Sequence, residues 1–355
     1  MTKQANQIRC CFDHTRAPYF VTATHLGTLL CKLRHKWLLV FVLCFGALHC
    51  KADSLAPASG KLDMLTISAT ALVGNGVATD AKQQLMVYLP PGYQKQPSKP
   101  YPVVYWLLDF NQGIYAIKSL KQQLDLWFAK PSHQAFVLVA VTGTNQFGGS
   151  FYLNSSLTGD WQDYLLWDVP SQVAQQLAVR NDPSGVAWVG FGMGGLAAMN
   201  LGLQYPSQAS RVAALSPMLM QTQLMKQFLP LIPRPILHAY SAVVTPVAGE
   251  TYGVLPQFND SQADLDIQQA WYAGMANWEQ KMALFFREYP ESDILLGCGS
   301  GSSPGFKEGC EALHQMFNQA YLDHQYITYS GSPEAIWQAQ FKQSVLPWLQ
   351  QKLKF

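Results

Sequence analysis

Charge is scarce in this chain. Asp, Glu, Lys and Arg make up 13% of its 355 residues, and the formal net charge is only +2. A protein that tracks nucleic-acid phosphates needs a basic face or run. None is found after residue 52, so no nucleic-acid partner is expected. With 49% hydrophobic residues, the low charge also excludes a disordered chain and implies a well-buried core. Cysteine and histidine are equally sparse. After residue 52 the chain keeps only Cys298 and Cys310, together with His133, His238, His314 and His324. No set of these has metal-ligand spacing, so neither a metal nor a cofactor is expected.

The N-terminus is where the unusual composition lies. Lys32, Arg34 and Lys36 precede the apolar run WLLVFVLCFGAL at residues 37–48. That run is short of the roughly 20 residues that span a bilayer, and a basic flank before it is the pattern of a secretory signal. Cleavage is expected after Ala52, with Cys50 and Ala52 as the small residues at the cut. An uncleaved anchor is the alternative, and membrane contact is expected through this segment alone. The stretch before Lys32 is long for a signal's leading region, which puts the expected translation start downstream of Met1. Residues 1–52 are thus read as a signal peptide with an extended leading region, and residues 53–355 as a single mature domain. Export to the periplasm or the medium follows. The two cysteines that remain read as a Cys298–Cys310 disulfide, with two buried thiols as the alternative.

Strand-like runs start near Met64, Gln84, Val103, Phe136, Val186, Val212, Ile294 and Tyr326, several of them continuously apolar. Helical spacing lies between them: Leu165, Val169, Val173 and Leu177; Leu196, Met199 and Leu203 in a helix from Met193; residues 311–322; and Trp337, Phe341, Val345 and Leu349. Alternating strands and helices predict an α/β domain with a mostly parallel central sheet and helices on both faces. Residues 221–266 are less regular and read as a surface insertion.

The densest chemical signal is VGFGMGG at residues 189–195, an apolar strand entering a glycine turn and then a helix. Gly190, Gly192 and Gly195 fit a dinucleotide fingerprint. That reading wants an acidic residue near the end of the next strand, and Ser216-Pro217 stand there instead. A nucleotide site on this turn is therefore the weakest reading.

The order of segments carries a resemblance. QQLMVYLPPGYQKQPSKPYPVVYWLL, SFYLNSSLTGDWQDYLLWDVPSQV and VGFGMGGLAAMNLGLQYPSQASRVAALSP together resemble the putative-esterase family of α/β-hydrolases, over residues 65–348. That family includes feruloyl esterases, S-formylglutathione hydrolases and mycolyltransferases. The resemblance implies an α/β-hydrolase fold and a pocket above the glycine turn. It also implies lining by Asp109, Phe110, Asn154, Trp161, Gly192 and Met193. Each reactive position departs from the family pattern. Gly192 stands where the nucleophilic serine belongs. The loop after the third strand reads Leu108-Asp109-Phe110-Asn111, where the Asp109 carboxylate would repel a developing oxyanion or simply cap and steady the loop. Ser302, in GCGSGSSPG, falls nearest the acid, and Ser332 takes the place of the histidine in Gly-His-x-x-x-x-Trp.

The reading is an exported esterase-family protein without catalysis that keeps a binding role. Its ligand, whether a small molecule, a glycan or a protein, is not specified. Trp106, Trp161, Trp167, Trp271, Trp278 and Trp337 offer flat faces, although such residues are often core. The alternative is an active carboxylic-ester hydrolase, acting on acyl or feruloyl esters, with Ser216 as a relocated nucleophile.

Overall fold

A computed structural model describes residues 59–288, 291–331 and 333–355. The expected signal segment lies outside the described residues, as does Ser332. All eight expected strands form: β1 (Lys61–Ser68), β2 (Lys82–Leu89), β3 (Val103–Leu107), β4 (Val137–Val141), β5 (Val186–Phe191), β6 (Arg211–Leu215), β7 (Asp293–Gly299) and β8 (Gln325–Tyr329). They join one sheet in the order β1-β2-β4-β3-β5-β6-β7-β8. β2 is antiparallel to both β1 and β4, and every later pairing is parallel. Strands β3 to β6 are buried along their whole length, because helices cover both faces.

One face carries α2 (Val169–Gln176), α3 (Gly192–Gln204) and α7 (Phe306–Gln319), through Val173, Leu196, Met199 and Leu313. The opposite face carries α1 (Lys121–Phe128), α8 (Pro333–Gln340) and α9 (Leu346–Lys352), through Leu124, Phe341, Val345 and Leu349. Wide π-turns at Tyr164–Asp168 and Phe341–Val345 enter α2 and link α8 to α9. Both sequences space their apolar residues by four. That spacing drifts ahead of a helix with about 3.6 residues per turn, and one widened turn restores the apolar residues to a single face.

Residues 221–266 are not a surface insertion. They include α4 (Arg234–Val244) and the start of α5 (Gln262–Met275), which is followed by α6 (Trp278–Glu288). Tyr240 of α4 is fully buried, donates its hydroxyl to the Trp271 carbonyl at 2.8 Å and accepts the Met275 N–H at 3.0 Å. Pro230, Pro233 and Pro235 break the periodicity in sequence, yet Pro235 lies in the first turn of α4, where its missing N–H costs nothing. α7 also starts five residues earlier than expected, at Phe306, where Gly305 turns the chain with φ +90°.

Candidate functional site

The glycine turn joins β5 to α3 at the C-terminal edge of the parallel strands, where this architecture places its chemistry. Close packing explains three of its glycines. A Cβ on Gly190 would enter the Gly194 backbone, one on Gly194 the Leu107 carbonyl, and one on Gly195 would press the Leu215 carbonyl at 3.1 Å. Gly192 differs. It is buried with φ +52°, and a Cβ there would run into the carboxylate of Asp109.

Asp109 follows β3 by one residue. Its Oδ1 accepts the Met193 N–H and the Phe110 N–H, each at 2.7 Å. One donor opens helix α3, directly after the turn. The other belongs to the loop after β3. These are the two backbone donors that form an oxyanion hole in a serine hydrolase of this fold. In this chain both donors are taken by one carboxylate oxygen, Asp109 Oδ1. Asp109 thus sits as a cap on the start of α3 and a brace for its own loop, one of the two roles weighed for it from sequence. The positive end of α3 favours an anion there. The loop is fastened around it. Gln112 Oε1 accepts the Asp109 N–H at 3.0 Å, and the Asn111 N–H donates to the Gly148 carbonyl at 2.8 Å. The Met193 N–H is therefore committed to Asp109.

Two cavities meet at Asp109. One, of about 230 Å³, is lined by Trp106, Asp109, Phe110, Asn111, Gln112, Phe191 and Trp337. The other, of about 120 Å³, lies over Gly192 and includes Ser216, Met218, Ile236 and Ser302. Met193 contributes its N–H, while its side chain is buried. Asn154 and Trp161 do not line either cavity. Asn154 accepts the N–H groups of Gln162 and Asp163 at 2.9 and 3.1 Å, and Trp161 is fully buried with its indole donating to the Thr158 carbonyl at 2.8 Å. The short spacing from Asn154 to Trp161 marks a local turn and not a pocket wall. Gln112 and Phe191 went unnoticed in the sequence; Gln112, three residues after Asp109, is the kind of local partner that fastens such a loop.

Ser216 is 3% exposed and adopts φ +41° at the end of β6. Its Oγ lies 2.9 Å from the Tyr329 hydroxyl and accepts the Gly299 N–H at 3.2 Å. Burial pushes the Tyr329 phenol up to about 12, against a smaller downward pull from Ser216. That shift favours the neutral phenol at Tyr329. The Ser302 Oγ is buried with no hydrogen-bond partner among the described residues. None of the four histidines lines either cavity. His314 and His324 are paired, Nδ1 to Nε2, at 2.8 Å, and His314 stacks on Tyr326. His133 packs on Trp127 and His238 on Tyr252. Among the described residues no group of three His, Cys, Asp or Glu side chains is placed to hold a metal.

Cys298, in β7, and Cys310, in α7, form a disulfide with Cα atoms 5.9 Å apart. It ties the Ser302 loop to the sheet.

Residues 76–348 match the family described as Putative esterase. No curated protein matches the chain. Among solved structures, a ferulic acid esterase superposes with a TM-score of 0.59 at 17% identity, over 83% of this chain and 99% of its own. A fluorophosphonate-binding serine hydrolase of Staphylococcus aureus gives 0.55 at 13%, over 82% and 98%. An S-formylglutathione hydrolase from Agrobacterium tumefaciens gives 0.54 at 14%, over 84% and 97%. At such identities the likeness is one of fold. With its strand order, its glycine turn and a family match over residues 76–348, the chain belongs to the Putative esterase family of α/β-hydrolase-fold proteins.

Proposed function

We propose that this chain is an exported, non-catalytic member of the esterase family that keeps the space around Asp109 for binding. The observation that carries this reading is Asp109 Oδ1 on the Met193 and Phe110 N–H groups. Acyl transfer needs those donors open when negative charge develops on the substrate oxygen. Here a carboxylate engages both, beside a nucleophile position with no side chain. The hydroxyl of Ser216 faces a phenol and a backbone N–H, with no histidine lining its cavity. Export is supported by the Cys298–Cys310 disulfide, since such bonds persist in oxidising compartments.

The test is hydrolysis of p-nitrophenyl acetate, methyl ferulate and S-formylglutathione by the purified protein, with labelling by a fluorophosphonate probe alongside. The expected outcome is no turnover above buffer and no labelling. Saturable turnover abolished by Ser216→Ala would overturn the reading in favour of an ester hydrolase with a relocated nucleophile.

A further inference from the structure

We propose that His314 and His324 form an acid-released latch, which holds the start of β8, the last strand in the sheet order, against helix α7.

The latch is a chain of three hydrogen bonds. Asn318 Nδ2 lies 3.2 Å from His314 Nε2, His314 Nδ1 lies 2.8 Å from His324 Nε2, and His324 Nδ1 lies 2.9 Å from the Leu322 carbonyl. A carbonyl only accepts, so His324 Nδ1 carries a hydrogen. In the neutral ring His324 Nε2 is then an acceptor, and His314 Nδ1 must donate to it. His314 Nε2 keeps a lone pair, which accepts from the Asn318 amide. One pair of neutral tautomers thus satisfies every bond. A first proton has a place at His314 Nε2, where the exposed Asn318 amide can turn its oxygen inward. A second proton would go to His324 Nε2, at which the His314 Nδ1–H already points. It would leave two cationic rings with their hydrogens directed at one another across 2.8 Å.

The neighbouring charges are engaged elsewhere or stand apart. On α7, Glu311 is paired with Lys307 at 3.7 Å, and the Glu308 carboxylate accepts the Gly305 N–H. From β8, Tyr326 lies flat on the His314 ring with centroids 3.7 Å apart; burial, and then Glu311, raise its phenol, which therefore stays neutral. Asp323 is exposed in the turn, and Gln221 and Leu224, which share a hollow with His314, carry no charge. Burial, and then His324, hold the His314 ring below the usual histidine value.

The latch secures the turn at residues 320–324. Tyr321 there is 95% exposed and takes φ +55°, a left-handed conformation uncommon for a residue with a side chain. Helix α7 is tied to β7 independently, by the Cys298–Cys310 disulfide. Release therefore frees the turn and the start of β8 and leaves α7 in place.

The test follows the ring nitrogen resonances of His314 and His324, assigned through the backbone, in the purified protein from about pH 7.5 to 4.5. Urea unfolding of the parent and of His314→Gln covers the same range. Glutamine at 314 can donate to His324 Nε2, can turn its oxygen to accept once His324 is protonated, and does not itself titrate. At the upper pH both rings are expected as Nδ1–H tautomers, and on acidification one should charge before the other. The unfolded chain takes up both protons near the ordinary value of about 6.5, whereas the folded pair defers the second. Stability is thus full above that value and is lost as pH falls. Relative to His314→Gln, the parent's unfolding constant should rise by up to about tenfold per pH unit. Amide exchange over residues 320–329, corrected for intrinsic rates, should rise in the parent and not in the variant. An Nε2–H tautomer at either ring, independent titration of the two rings, or parallel stability profiles for parent and variant would each overturn the proposal. If His314→Gln does not fold, the tautomers and the staggered titration of the unmodified protein decide the matter.

Discussion

A serine at position 192 should destabilise the fold strongly while Asp109 is present and mildly once Asp109 is cut back to alanine. Two costs fall on Gly192→Ser. An L-residue at φ +52° is strained by about 1–2 kcal/mol. Forcing a side chain into the Asp109 carboxylate adds about 1–3 kcal/mol of overpacking. The single variant should therefore lose roughly 2–5 kcal/mol. Asp109→Ala removes the acceptor for two backbone N–H groups, each at 2.7 Å. The vacated space admits water, so its cost should be only about 2 kcal/mol. In the double variant the collision is gone, and the two changes should fall short of additivity by about 1–3 kcal/mol.

Urea unfolding followed by tryptophan fluorescence measures all three variants against the parent. A shift of midpoint at constant slope isolates stability from changes in compactness. The signature is coupling: the double variant loses less than the sum of the single ones. Additivity within about 0.5 kcal/mol would refute the placement of the Asp109 carboxylate over Gly192. No collision would then exist for the second change to relieve.

Four further outcomes are expected of this protein. Replacing Cys298 and Cys310 by serine should cost roughly 3 kcal/mol through loop-closure entropy, and non-reduced peptide mapping of the envelope-matured protein should show the linked pair; two freely alkylated thiols would count against it. Burial holds the amine of Lys281 down at about 7, where it donates to the Gly274 carbonyl at 2.8 Å. Between pH 7 and the unfolded value of about 10.4 the unfolded chain binds the extra proton, so stability should rise with pH by up to about 1.4 kcal/mol per unit; Lys281→Met should flatten that rise, and a flat parent profile from pH 7 to 9 would sink the idea. Restoring Gly192→Ser and Ser332→His should yield no esterase until Asp109 is also removed, because the oxyanion donors stay occupied; turnover with Asp109 intact would show otherwise. N-terminal sequencing of protein from the native host should begin near Asp53, and an intact start bearing residues 37–48 would rule out signal cleavage.

The sheet was readable because parallel strands covered on both faces write themselves as continuous apolar runs, and every such run became a strand. Residues 221–266 were not, because prolines interrupt α4 where the helix tolerates them, and its buried tyrosine contacts are made across the fold. The site divides in the same way. The glycine turn and the loop after β3 were located from local grammar, since both follow strands. The direction of the Asp109 side chain was not. It depends on the α3 N–H groups, which lie more than eighty residues away in sequence. Asn154 and Trp161 fell into the expected pocket only through resemblance. Their partners lie in the same local turn: Gln162 and Asp163 for Asn154, eight and nine residues on, and the Thr158 carbonyl for the Trp161 indole.

The turn also separates what the scaffold needs from what chemistry needs. Gly190, Gly194 and Gly195 face backbone atoms of neighbouring elements, and backbone cannot move aside, so any protein that packs α3 against β3 and β6 this closely needs them. Gly192 faces a side chain. Its requirement for glycine comes from φ +52° and from Asp109, whose carboxylate occupies the space a Cβ would take. A carboxylate oxygen there accepts the Met193 and Phe110 N–H groups, so the chain satisfies the start of α3 from within itself. The two residues are thus one structural unit. On the proposed non-catalytic reading, that unit is what keeps the two donors satisfied when no ligand is bound.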